Sequence, residues 1–142
     1  VRPLYETDAD RLAEKNVADL LEVRWTCQLS KLPIAYRLDF LVCTILQPRA
    51  FCEIKVRKYT WEQISDWGGY MLSLGKWDAA RNLFLATGLP FLLVVSCAGD
   101  VRWRLFARFP VVPIKMGGRT DRDDSQDMEP VVMIDCAKFN TL

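Results

Sequence analysis

Histidine is absent from this 142-residue chain. That excludes a Ser-His-Asp triad, a Cys-His pair, a histidine general base and a histidine-rich zinc site within one chain. Any catalysis must run on carboxylates, lysine, tyrosine, cysteine or a metal. Net charge is nearly absent too, at +1. An anionic partner would therefore have to be met by local clusters of basic residues. No C-x-x-C pair occurs among the five cysteines, Cys27, Cys43, Cys52, Cys97 and Cys136. An odd number of thiols, most of them in or beside apolar runs, reads as reduced and cytoplasmic. No apolar run reaches the ~18 residues of a membrane span. The longest, at 89–95, is interrupted by Pro90. No signal-peptide pattern is visible.

What is present is ordinary for a globular chain, with 51% hydrophobic and 26% charged residues, and the length suits one domain. Thr7-x-x-Asp10 reads as a capping box opening a helix over 8–22. Ala13, Val17, Leu20 and Leu21 form its apolar stripe, and Glu14 sits at the edge of that stripe. Strands are expected over 25–29, 34–45 and 50–57. Gln47-Pro48-Arg49 is the turn that pairs the last two as a hairpin. Thr60-x-x-Gln63 starts a short helix that Gly68-Gly69 breaks. Ser73 caps a longer helix over 73–87, stopped by Gly88 and Pro90. Residues 91–97 are apolar on both sides and read as a central strand, followed by a strand over 101–107. The expected architecture is α/β, a mixed sheet flanked by helices. Residues 1–109 are expected to form the core domain. Residues 110–142 are read as an extension, with a mobile loop at 117–129 and an edge strand at 131–135.

Two alternating stretches carry the chemistry: Tyr36-Arg37-Leu38-Asp39-Phe40-Leu41-Val42 and Phe51-Cys52-Glu53-Ile54-Lys55-Val56-Arg57. Residues two apart share a strand face, so Glu53 and Lys55 point the same way. Hairpin pairing would bring Asp39 beside Glu53, and the first helix would add Glu14. Two carboxylates ~4 Å apart repel by about 4 kcal/mol at a surface-like dielectric. A hard divalent cation relieves that repulsion. Asp39, Glu53 and the Ile54 carbonyl would hold Mg²⁺, with Mn²⁺ as a substitute. Lys55 would orient or deprotonate a water, or stabilise a phosphorane-like transition state. Glu14 would reach the metal through water. The plainer alternatives are a same-face ion pair for Glu53 and Lys55 and a solvated helix acid for Glu14, whose place Glu22 or Glu6 could take.

This arrangement resembles the PD-(D/E)XK nuclease superfamily. Asp39 stands where the first half-motif ends, and Glu53-x-Lys55 stands as the second half, fourteen residues later. The α-β-β-β-α-β order over residues 8–107 is similar to the restriction-endonuclease-like core. Tyr70, Ser73 and Lys76 occupy the place where small phage or prophage members carry a helix with those residue types. Leu38 replaces the usual proline before the aspartate. The resemblance implies metal-dependent cleavage of DNA, and small members acting as dimers or inside larger assemblies.

Lys31, Arg37, Arg57, Lys58 and Lys76, mixed with Tyr59, Trp61 and Trp67, form a candidate nucleic-acid surface. Such a mixture can follow a phosphate backbone and stack bases. Tyr70 and Ser73 are further candidates there, although Ser73 also reads as a plain cap and Tyr70 as a packing residue. The second functional class is a non-catalytic nucleic-acid-binding or assembly subunit on the same fold.

Overall fold

The computed structural model describes residues 6–118 and 128–142. The chain opens with helix α1 (Asp8–Trp25), capped reciprocally by Thr7 and Asp10 as the sequence predicts. Its buried stripe is Val17, Ala18 and Leu21, while Leu20 lies outside it. The helix runs three residues past the expected end. The first strand, β1 (Gln28–Lys31), therefore begins later than expected. Strands β2 (Phe40–Thr44) and β3 (Gln47–Arg57) form the expected antiparallel hairpin. Its turn is Ile45-Leu46, at φ +46° and +61°, and Gln47-Pro48-Arg49 already belong to β3.

Helix α2 (Trp61–Asp66) has the predicted Thr60–Gln63 capping box. Strand β4 (Tyr70–Ser73) follows it and was not foreseen. At Gly69, φ +126°, an added Cβ would meet the Ile134 carbonyl oxygen at 2.6 Å, so only glycine lets β4 start there. Helix α3 (Leu74–Thr87) has Ser73 at its N-cap position, but the Ser73 side chain makes no capping bond. Gly88 ends the helix in the left-handed region. Strands β5 (Phe91–Cys97), β6 (Asp100–Phe106), β7 (Ile114–Gly118), β8 (Met128–Ile134) and β9 (Asn140–Thr141) complete the chain.

Six strands make one mixed sheet in the order β1-β2-β3-β5-β6-β9, with β3 and β5 parallel and the other pairs antiparallel. β5 is buried on both faces, as its unbroken apolar run requires. Val17, Ala18 and Leu21 of α1 cover one face, against Phe40, Cys52, Ile54, Leu92 and Val94. Trp77 and Ala80 of α3, with Leu72, Val132 and Ile134 of a second sheet, cover the other, against Phe51, Leu93, Val95 and Phe106. The fold is thus α/β, with helices on both sides of a mixed sheet.

The second sheet has the order β4-β8-β7. The strand expected at the edge over 131–135 lies in its middle. Val131, Val132 and Ile134 are buried, and β4 and β7 both pair with it. A strand cannot take that place without two partners. The second partner, β4, sits in the stretch the sequence pattern left unread. The expected loop at 117–129 falls for the most part outside the described residues; its ends, 117–118 and 128–129, are strand.

Candidate active site

The strand predicted over 34–45 is shorter, and this shapes the site. Ile34–Tyr36 is a single 3-10 turn, and Arg37 follows at φ +61°. Asp39 therefore sits just before β2 rather than within it. Its backbone still joins the sheet: its N–H donates to the Cys52 carbonyl at 3.1 Å, and its carbonyl accepts from Leu32 N–H at 2.8 Å. The β2–β3 pairing ends at Phe40 and Cys52, so Asp39 stands at its edge, held to Cys52 by that backbone bond. Beyond β2, the next N–H of β3 that needs a partner is Ile54's. It donates to Asp39 Oδ2 at 3.0 Å. That bond fixes the carboxylate against the strand that carries Glu53 and Lys55.

Glu53 and Lys55 share the β3 face that looks toward α3 and the second sheet. Glu53 is fully buried, 0% exposed. A lone buried carboxylate is costly. Two ammonium groups offset the cost: Lys55 Nζ lies 2.8 Å from Glu53 Oε1, and Lys76 Nζ lies 3.2 Å from the same oxygen. Lys76, from the first turn of α3, also donates to the Arg37 carbonyl. Burial opposes the charge on Lys55, but the Glu53 carboxylate, bonded to it, holds its pKa above the ordinary lysine value. Lys55 therefore stays an ammonium at neutral pH.

Lys31, at the end of β1, lies 3.6 Å from Asp39 Oδ1 and 4.0 Å from Glu14 Oε2. Burial, and then the Asp39 charge, push the Glu14 carboxyl up to about 7 against the pull of Lys55 and Lys31. Burial, followed by Asp39 and Glu53, raises the Cys52 thiol well above its ordinary value, so it is inert. Three acids, Glu14, Asp39 and Glu53, thus share one neighbourhood with three lysines, Lys31, Lys55 and Lys76.

The donor set suits a hard cation. Asp39 Oδ1 faces the Lys31 ammonium, and Glu53 Oε1 faces those of Lys55 and Lys76, so the oxygens of both acids already meet positive charge. Among the described residues, no three acidic or sulfur ligands stand close enough to form a metal cluster.

The remaining expected residues scatter. The Arg37 side chain is exposed, and its backbone serves Lys76. Arg57 lies on the Glu53–Lys55 face and is half-buried, donating to the Val56 carbonyl at 3.1 Å. Lys58 is exposed. Tyr70 is buried, not on a surface, and burial raises its hydroxyl pKa with Arg57 and Lys55 opposing. The sequence pattern places Lys31 and Lys76 among the phosphate-binding cations, whereas in the fold they pair with the acids. One signal pointed to Lys76: a positive charge in the first turn of a helix opposes the dipole and needs a compensating anion.

A helix, a hairpin bearing an acid, an acid-x-lysine strand and a parallel partner strand together define the restriction-endonuclease-like class of fold. The chain belongs to the family described as "Phage putative PDDEXK endonuclease", which matches residues 1–142. No curated protein matches the sequence. Among solved structures, it is similar to Hjc of Archaeoglobus fulgidus, a Holliday junction resolvase from an archaeal hyperthermophile. That match has 16% identity over 87% of each chain and a TM-score of 0.49. No helix among the described residues is long and apolar enough to cross a membrane.

Proposed function

We propose that this chain is a metal-dependent deoxyribonuclease that hydrolyses phosphodiester bonds in the processing of phage or mobile-element DNA. The observation that carries this reading is the anchoring of Asp39 on the Ile54 N–H, between Glu53 and Lys55 of the same strand. Asp39 and Glu53 would hold Mg²⁺ or Mn²⁺, with Glu14 as an outer acid. Bound there, the cation would supply the charge that polarises the scissile phosphate.

The chain's own residues supply the rest. Lys55, kept protonated by Glu53, stabilises negative charge as it develops on the phosphate and does not serve as the base. Glu14, with its carboxyl pushed up to about 7 by burial, can exchange a proton near neutral pH. Lys31 and Lys76 are the less buried of the lysines and can turn toward phosphate oxygens when the acids take a cation. Five unpaired thiols fit a reducing, cytoplasmic setting.

One observation favours a second reading. Glu53 is already neutralised by two lysines, which is also how a purely structural charge network looks. A nucleic-acid-binding subunit without chemistry would keep such a network. Cleavage of labelled DNA separates the two. The enzyme cuts with Mg²⁺ or Mn²⁺, stops with EDTA, and stops in Asp39→Asn. A binding subunit retains DNA and cuts under none of these conditions.

A further inference from the structure

Beyond Lys55, the same face of β3 continues to Arg57, about 7 Å further along the strand. There Arg57, Tyr59, Trp67, Tyr70 and Met71 line a cleft of about 60 Å³. Its rim is aromatic. Tyr59 and Trp67 meet edge to face at 4.9 Å and are 44% and 46% exposed. Tyr70, on the cleft's inner side, is 3% exposed, and its hydroxyl has no hydrogen-bond partner among the described residues. A buried hydroxyl without a partner costs about 1–3 kcal/mol, so its retention calls for something to satisfy it. The charges that act most on it are those of Arg57, Lys55 and Glu53, which ties the cleft to the acid–lysine cluster.

The lining has no carboxylate. It offers a guanidinium, a hydroxyl donor and planar apolar surface, which is the complement of an aromatic ring attached to an anion. We propose that this cleft is a nucleotide subsite for one unpaired base of the DNA strand being cut. The base stacks on Trp67 with Tyr59 at its edge. Arg57 holds the adjoining phosphate, and the Tyr70 hydroxyl donates to an oxygen of the same nucleotide. A base within a duplex has both faces covered by its neighbours and cannot stack on Trp67, whereas an unpaired base can. The inference rests on the nuclease reading and narrows it to strands with unpaired nucleotides beside the scissile phosphate.

Oligonucleotides carrying 2-aminopurine at successive positions test this, with EDTA present so that nothing is cut. The subsite predicts a fluorescence change at one position in single-stranded DNA and at none in duplex. Base–aromatic stacking implies that Trp67→Ala weakens single-strand binding on the order of tenfold and leaves duplex binding unchanged. Trp67→Phe restores most of it. Tyr70→Phe keeps the buried ring, melts no lower than the parent because it removes the unpartnered hydroxyl, and weakens single-strand binding several-fold. Equal affinity for all three variants and the parent would overturn the subsite, as would equal losses on single strand and duplex. Position-specific 2-aminopurine signals without cleavage in Mg²⁺ would uphold the subsite while removing the nuclease reading. Cleavage without those signals would do the reverse.

Discussion

The two faces of β3 are built from alternate residues of one strand and do opposite things. Toward α1 the strand shows Ala50, Cys52 and Ile54, all buried, on an apolar layer with Val17, Ala18 and Leu21. Toward α3 it shows Phe51, Glu53, Lys55 and Arg57. That series passes from core through a fully buried acid to half-exposed cations. The first face stabilises by removing apolar area from water, which is non-directional and tolerates repacking. The second holds charges whose worth depends on each partner staying in place. A strand can therefore anchor a sheet on one side and hold a cluster of charges on the other.

Substitutions that treat the faces differently sharpen the contrast. The largest effect is expected on the charged face. Lys55→Met should lower Mg²⁺-dependent cleavage about 10²–10³-fold, the scale for removing one preorganised charge, while DNA retention in EDTA changes little. On the apolar face, Ile54→Ala should cost about 2–5 kcal/mol in urea unfolding and leave the rate per folded molecule within a few-fold. Loss of cleavage with unchanged stability in Ile54→Ala would break the division. Glu53→Gln comes next, because it leaves Lys55 and Lys76 facing a neutral amide. We expect about 2 kcal/mol of destabilisation, discounted from the fully buried case because both lysines are partly exposed. Adding Lys55→Met should recover part of that loss, which a double-mutant cycle would measure.

The smallest effect is a pH dependence. Glu14 has a folded pKa raised to about 7 from 4.5. The folded chain thus keeps a proton that the unfolded chain releases between those values. Stability then falls as pH rises through that window, by on the order of 1 kcal/mol. Urea melts at pH 5 and pH 8 in EDTA should show this fall, and Glu14→Gln should flatten it.

Much of this was legible in the sequence, because the strongest signals are local. Capping boxes at Thr7 and Thr60, the glycine stop at Gly88 and the alternation through Phe51–Arg57 depend on residues a few positions apart. Glu53 and Lys55 share a face by period alone. What stayed hidden depends on pairing between distant segments. β4 is four residues long and becomes a strand only because β8 lies beside it. The hairpin turn misled for a different reason. Proline marks turns more often than strands, yet Pro48 sits in β3, while Ile45 and Leu46 take left-handed conformations that apolar side chains rarely adopt. Lys31 and Lys76 reach the acids from β1 and α3, and no spacing rule links those positions to 39 or 53.

Manganese binding, followed by electron paramagnetic resonance in the absence of DNA, tests the central claim most directly. If Asp39 and Glu53 share one cation beside Lys55, the parent protein should bind Mn²⁺, and Asp39→Asn and Glu53→Gln should each abolish that binding while remaining folded by circular dichroism. Mn²⁺ binding that is absent from the parent, or that survives both substitutions, would contradict the account.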